Sequence, residues 1–123
     1  MRELAGTFKA LADPTRLRIL NLLLRSPLCV CEMERLLDLP QPLLSRHLAY
    51  LRNYGWVESQ RDGMRVNYQI NEKQRLIAEL RPFLLREFEG DAVGRADLRA
   101  LESAVHRRIE RTRGHERDTH ARS

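Results

Sequence analysis

A mainly α-helical domain with one small β-hairpin is what the sequence predicts, and three observations predict it. Two helical stretches between Cys31 and Tyr54 are separated only by Asp38-Leu39-Pro40, the spacing of a helix-turn-helix. An alternating apolar and polar pattern follows at once, from Trp56 to Gln60 and from Arg65 to Ile70, around Arg61-Asp62-Gly63-Met64. Helical periodicity then resumes after Asn71 and is traceable to about Thr112.

Taken in order, Leu4 to Ala12 is helical in character, and Asp13-Pro14 supplies an N-cap followed by proline at the first helical position. The helix it starts carries Leu17, Leu20 and Leu24 at helical spacing, with Ile19 and Leu23 beside them, and ends at Ser26-Pro27. A third, short helix fits Cys31 to Leu37, with Met33, Leu36 and Leu37 facing inward. The fourth runs from about Gln41 to Tyr54 and is closed by Gly55. The hairpin directly after it is the wing of a winged helix-turn-helix. Beyond Asn71 the chain is helical again, with a break expected near Arg81 because Pro82 follows and Phe83, Leu84 and Phe88 form an apolar cluster after it. The last helix, about Arg95 to Thr112, places Leu98, Leu101, Val105 and Ile109 on one stripe, the pattern of a seam against another helix.

With 123 residues and 42% hydrophobic content the chain supports one core and one domain. No stretch approaches ~20 consecutive apolar residues, and Met1-Arg2-Glu3-Leu4-Ala5 lacks the basic and apolar regions of a leader, so the expectation is a cytoplasmic protein with no membrane partner. The formal charge of +5 is carried almost wholly by arginine, Lys9 and Lys73 being the only lysines among 22 basic residues. Arginine binds phosphate and guanine in bidentate fashion, so the bias suits nucleic acid, although a GC-rich genome produces it too. An enzyme is not expected: the cysteines are spaced Cys-x-Cys rather than Cys-x-x-Cys, no glycine-rich phosphate loop exists, and no cofactor is required.

At ~100° per residue, Leu44, Leu48 and Leu51 share one arc of the fourth helix, whereas Gln41, Ser45 and Arg52 lie on a neighbouring arc that continues towards Arg46. The leucines hold the helix to the body and the polar arc enters a major groove, where glutamine and arginine make bidentate contacts to base edges and serine suits either base or phosphate. His47, on the flank, either binds phosphate or packs at the helix edge. Arg61 and Arg65 flank the glycine turn of the wing and suit the DNA backbone or minor groove, although exposed arginines on hairpins are common without a partner.

Leu11-Ala12-Asp13-Pro14-Thr15-Arg16-Leu17-Arg18-Ile19-Leu20, then Leu28-Cys29-Val30-Cys31-Glu32, then Ser45-Arg46-His47-Leu48-Ala49-Tyr50-Leu51-Arg52 together resemble the ArsR family of metal-sensing repressors, over about residues 4 to 90. The resemblance implies a homodimer joined through its N- and C-terminal helices that represses by holding operator DNA. It further implies that Cys29 and Cys31 bind trivalent arsenic or antimony as effector. The arsenical-resistance repressors carry a third cysteine three positions after the second; here Glu34 stands at that position. The family's other site, of Asp, His and Glu on the terminal helices, matches poorly: Asp97, His106 and Glu110 are present without the Asp-x-His start, and the histidine-to-glutamate spacing is one residue too long. The expected division is 1–112, a DNA-binding and dimerisation domain, and 113–123, a disordered basic tail without helical periodicity.

Thiolates select soft ions such as arsenic(III), antimony(III), cadmium or copper(I), and a nearby helix N-terminus favours the reactive form. Residues two apart on a regular helix point ~200° from each other, so one ion joins Cys29 and Cys31 only if that helix start is distorted. The expected mechanism follows, with effector holding the first helix of the helix-turn-helix in a form that presents the recognition helix badly. A thiol switch through oxidation or persulfide is the alternative use of the pair, and small buried core residues the simplest one. A disulfide as a structural link across one residue in a reducing compartment is not expected.

Overall fold

The computed structural model describes residues 1–121, with side chains through Glu110. Its elements are α1 (Arg2–Lys9), α2 (Pro14–Leu23), β1 (Leu28–Cys29), α3 (Val30–Leu37), α4 (Gln41–Asn53), β2 (Val57–Asp62), β3 (Arg65–Ile70), α5 (Arg75–Gly90) and α6 (Ala92–Ala121). The winged helix-turn-helix expected from sequence is the fold observed.

Local chemistry sets the starts and stops. Asp13 adopts extended backbone and accepts a hydrogen bond from the Arg16 amide at 3.1 Å, while Pro14 fills the first helical position, so α2 begins where an N-cap and a pre-set φ coincide. Asp38 ends α3 in the left-handed region at φ 53, and this turns the chain sharply enough for α4 to begin at Gln41. Gly55, at φ 81, releases α4 into β2. In the wing, Asp62 pairs with Arg65 across a two-residue turn whose first residue, Gly63, has φ 64, the conformation that matches the right-handed twist of a hairpin.

The core sits around α2, whose Ile19, Leu20 and Leu22 are at most 1% exposed and meet Met33 of α3, Leu44, Leu48 and Leu51 of α4, and Trp56. Burying a large aliphatic side chain stabilises by roughly 1.5–3 kcal/mol, so the three α4 leucines fix the outward direction of that helix's opposite face. α1 is docked on the far end of α4: the Trp56 indole donates to the Thr7 carbonyl at 2.8 Å, and a Cβ on Gly6 would lie 2.2 Å from the Tyr54 ring.

Four expectations are corrected. β1 was not expected; two residues are too few for a pattern, yet Leu28 and Cys29 pair with Tyr68 and Asn67, giving a three-stranded antiparallel sheet of order β1-β3-β2. Helix α3 accordingly starts at Val30, not Cys31. Pro82 does not break α5, because Ile77, Leu84 and Phe88 form a continuous buried face through it while Pro82 itself is exposed, so the lost hydrogen bond lies on the solvent side. Finally, α6 begins at Ala92 and its backbone stays helical to Ala121, so it passes Thr112; the side chains of 111–121, and residues 122–123 entirely, lie outside the description, and with them most of the segment expected as a tail. Along α6, Leu101 is buried in the protomer's own core, whereas Val105 and Ile109 are exposed, as are Leu4 and Phe8 of α1. The stripe therefore divides between core and surface.

Candidate functional site

Two surfaces carry the residues singled out by sequence, and they differ in kind. On α4, Gln41, Ser45, Arg46 and Arg52 are all exposed, and none makes a side-chain hydrogen bond or ion pair among the described residues. Arg61, in β2 next to the wing turn, is exposed in the same way. These five side chains are open and polar, with donors uncommitted to the protein.

His47 departs from the set. Its side chain is only 12% exposed; Arg16 donates to its Nδ1 from 3.2 Å, and the Asp13 carboxylate lies 3.9 Å from the same nitrogen. Burial depresses its pKa below the ordinary value of 6.5, and Arg16 and Arg46 add to that against the pull of Asp13, so the ring is neutral at pH 7. It is the edge-packing alternative that the structure realises: His47 faces α2 and offers DNA no charge. Arg16 completes this joint by donating to the carbonyls of Ala10 and Lys9 and lying 4.2 Å over the Tyr50 ring, which ties α2 to α4.

The second surface surrounds the cysteines. Cys29 is the last residue of β1 and also the N-cap of α3, with φ −82 and ψ 164. Because it lies outside the helix, the ~200° separation expected of residues two apart on a helix does not apply. Its Cα is 5.4 Å from that of Cys31, and the two sulfurs are joined as a disulfide. Two expectations fail here: the pair does converge on a regular helix start, without unwinding, and it is bonded where no structural disulfide was expected. Cys29 is buried and Cys31 exposed, so the pair is reached from the Cys31 side.

Glu32 organises the surroundings. The Cys29 sulfur accepts from the Glu32 amide at 3.3 Å and the Glu32 carboxylate accepts from the Cys29 amide at 3.1 Å, a reciprocal cap with sulfur in place of the usual hydroxyl. The same carboxylate, only 10% exposed, accepts from Arg65 of β3 at 2.7 Å and from Arg108 of α6. Burial alone raises its carboxyl pKa, but the Cys29 amide, Arg108 and Arg65 outweigh it, holding the group below the ordinary carboxylate value and charged. Arg65 Nη2 is also 3.3 Å from the Cys29 sulfur. Arg65, expected as a wing contact to DNA, is thus committed to the cysteine corner, because its strand is the one paired with β1. Sequence reasoning missed Glu32 and Arg108; the signal for Glu32 was the Cys29-x-x-Glu32 spacing, a capping box with an unusual first residue.

Among the described residues no group of three or more His, Cys, Asp or Glu side chains could hold a metal ion. Glu34, opposite the missing third cysteine, is exposed. Asp97 takes two of the three Arg18 side-chain bonds, at 2.8 and 3.0 Å, and His106 pairs with Glu110 at 3.0 Å, so these residues serve α2–α6 packing and the α6 surface respectively. No helix among the described residues is long and apolar enough to cross a membrane.

The bacterial regulatory protein, arsR family, matches residues 13–59, which takes in α2, the cysteine pair and all of α4. The arsenic resistance transcriptional regulator ArsR1 of Pseudomonas putida is 48% identical over 75 residues, 58% of this chain and 59% of that protein, so the match spans less than two thirds of its length. An arsenical resistance operon repressor of Staphylococcus xylosus is 36% identical over 72 residues, 58% of this chain and 69% of that protein. Among solved structures, the homodimeric winged helix-turn-helix DNA-binding domain of Mb0332 from Mycobacterium bovis superposes with a TM-score of 0.61 at 29% identity, covering 74% of this chain and 86% of that one. The fold, the three sequence motifs and these relatives agree: the chain belongs to the arsR family of bacterial regulatory proteins, a family of transcriptional regulators and not of enzymes.

Proposed function

We propose that this protein is a transcriptional repressor of an arsenic resistance operon that holds operator DNA as a homodimer and lets go when trivalent arsenic or antimony bridges Cys29 and Cys31. One observation carries the reading: the two sulfurs meet at the N-terminus of α3, the first helix of the helix-turn-helix, on a residue paired directly with the wing. The exposed polar row of α4 and Arg61 supplies the DNA contacts, one α4 entering a major groove per protomer. Leu4 and Phe8 of α1 with Val105 and Ile109 of α6, all exposed, supply the dimer seam, and the homodimeric neighbour supports it.

The site fits a soft trivalent ion with two protein ligands. After reduction of the disulfide by two equivalents of a cellular thiol, arsenous acid condenses with both thiols, forming two arsenic–sulfur bonds and releasing two waters, and the remaining hydroxyl completes the ion. Glu32 is not the third ligand: its oxygens are occupied by Arg65 and Arg108, and a hard carboxylate suits a soft ion poorly.

A second reading is favoured by the bonded sulfurs themselves. In a dithiol–disulfide switch, hydrogen peroxide takes two electrons and two protons from the thiols to give the disulfide and two waters, and the oxidised form is the released one. Fluorescence anisotropy on the promoter DNA separates the two. Under reducing conditions, arsenite or antimonite releases the DNA while zinc does not; release by mild oxidation alone assigns the switch.

A further inference from the structure

We propose that Glu32 is the positioning residue that carries the chemical state of the Cys29 sulfur to the wing and to the terminal helix; this rests on the effector reading above, in either of its forms. Three elements converge on its carboxylate: the cap of α3 through the Cys29 amide, β3 through Arg65, and α6 through Arg108. Few side chains are placed to touch the effector site, the wing and the terminal helix at once. Arg65 makes the connection three-cornered, because the same Nη2 approaches both Glu32 Oε1, at 2.7 Å, and Cys29 Sγ, at 3.3 Å.

Charge shows what an effector changes. The contacts seen are those of the bonded, neutral sulfur: Arg65 and Arg108 each hold one oxygen of the Glu32 carboxylate, and Arg65 also lies against Cys29 Sγ. In the reduced protein that sulfur is a thiol, and its thiolate form would be a charge-assisted partner for Arg65 that bonding to arsenic or to Cys31 takes away. Both guanidiniums then rest on the one carboxylate, one on each oxygen, as they do in the disulfide. Arg65 also closes the wing, opposite Asp62 and next to the Gly63-Met64 turn, so its loss of a partner at Cys29 is felt at the wing tip. Arg108 adjoins Ile109, one of the exposed apolar residues of α6, so the same event reaches the dimer seam. The sulfurs need no unwinding of α3 to signal; the Cys29–Arg65–Glu32 contacts carry the change instead.

The test is the ratio of operator dissociation constants with and without arsenite, measured by anisotropy on reduced protein. Glu32→Gln keeps the capping geometry, since glutamine also serves at that position, but loses the charge that holds both arginines. Arsenite binding off DNA, followed by arsenic–thiolate absorbance in the near ultraviolet, is expected to match wild type in stoichiometry. The release ratio is expected to fall below about threefold in E32Q, against about tenfold or more in wild type, the ordinary range of allosteric coupling. Arg65→Met is expected to lose the ratio similarly, and Arg65→Lys, which keeps a cation on a similar stem, to retain more than half of it on a logarithmic scale; a merely structural role would not follow charge in this way. E32Q released as fully as wild type overturns the proposal, as does E32Q that no longer binds arsenite. Wild type that binds arsenite but stays on DNA overturns the arsenic reading instead, and the same ratios are then read between reduced and oxidised protein. A transmitter role predicts the same ordering of variants there, and equal ratios in all of them refute it.

Discussion

The outer face of α4 and the cysteine corner are both polar, both arginine-bearing and both placed by the same helix-turn-helix, yet they are built oppositely. On α4, Gln41, Ser45, Arg46 and Arg52 make no side-chain hydrogen bonds among the described residues. At the corner, Glu32 alone has partners on three elements and Arg65 has two within 3.3 Å. A surface that recognises an outside partner keeps its donors open, because each internal bond would have to be broken first. A surface that responds to a small ligand keeps them closed on each other, because only a preformed bond can be lost as a signal. Arginine content alone does not distinguish them; Arg46 and Arg65 look alike in the sequence and have opposite assignments in the fold.

Changes on the open face should cost DNA affinity without costing stability. The double substitution Ser45→Ala with Arg46→Ala removes contacts worth roughly 1–3 kcal/mol each per protomer, so operator affinity measured by anisotropy is expected to fall ~100-fold or more. The thermal midpoint is expected to stay within about 2 °C, since neither side chain is packed. Loss of the fold in that variant would break the comparison. Arg61→Ala is the milder case: affinity falls a few-fold for all sequences alike, and the slope of log affinity against log salt drops by about one per lost phosphate contact. An unchanged slope would take the wing tip off the duplex.

His47 sharpens the same contrast on a single helix, since it neighbours Arg46 and faces the other way. Its folded pKa lies below the unfolded value of 6.5, so as the pH falls past that value the unfolded chain takes up the proton first and the fold loses stability. Above that pH both states are neutral and nothing is gained. Thermal midpoints between pH 7 and pH 5 are therefore expected to fall less for His47→Gln than for wild type, with operator affinity at neutral pH within about threefold. An equal fall in both proteins would mean that the ring is not held neutral between Asp13 and Arg16.

Much of this was legible in the residue order. Asp13-Pro14 and Gly55 mark helix ends through chemistry that acts on neighbouring residues, and the α4 leucines announce their face through helical spacing. What was not legible depends on distant residues. Pro82 reads locally as a break, but the buried Ile77, Leu84 and Phe88 continue the helix across it. Strand β1 has two residues and exists only because β3 passes beside it. That one pairing also decides the cysteine geometry, since it holds Cys29 extended and outside α3, and it brings Arg65 to Glu32 across a separation of 33 residues. The residue types of the proposed effector site were therefore readable, while its shape and its connections came from the sheet.

In the mechanism proposed above, chemistry at Cys29 loosens the grip of α4 and the wing on DNA. Operator anisotropy of reduced Cys29→Ser, with and without arsenite, tests it most directly, because serine preserves the N-cap of α3 and removes only the sulfur. Operator affinity is expected within about threefold of wild type, with no release by arsenite at concentrations that fully release wild type. Full release of Cys29→Ser by the same arsenite would contradict it.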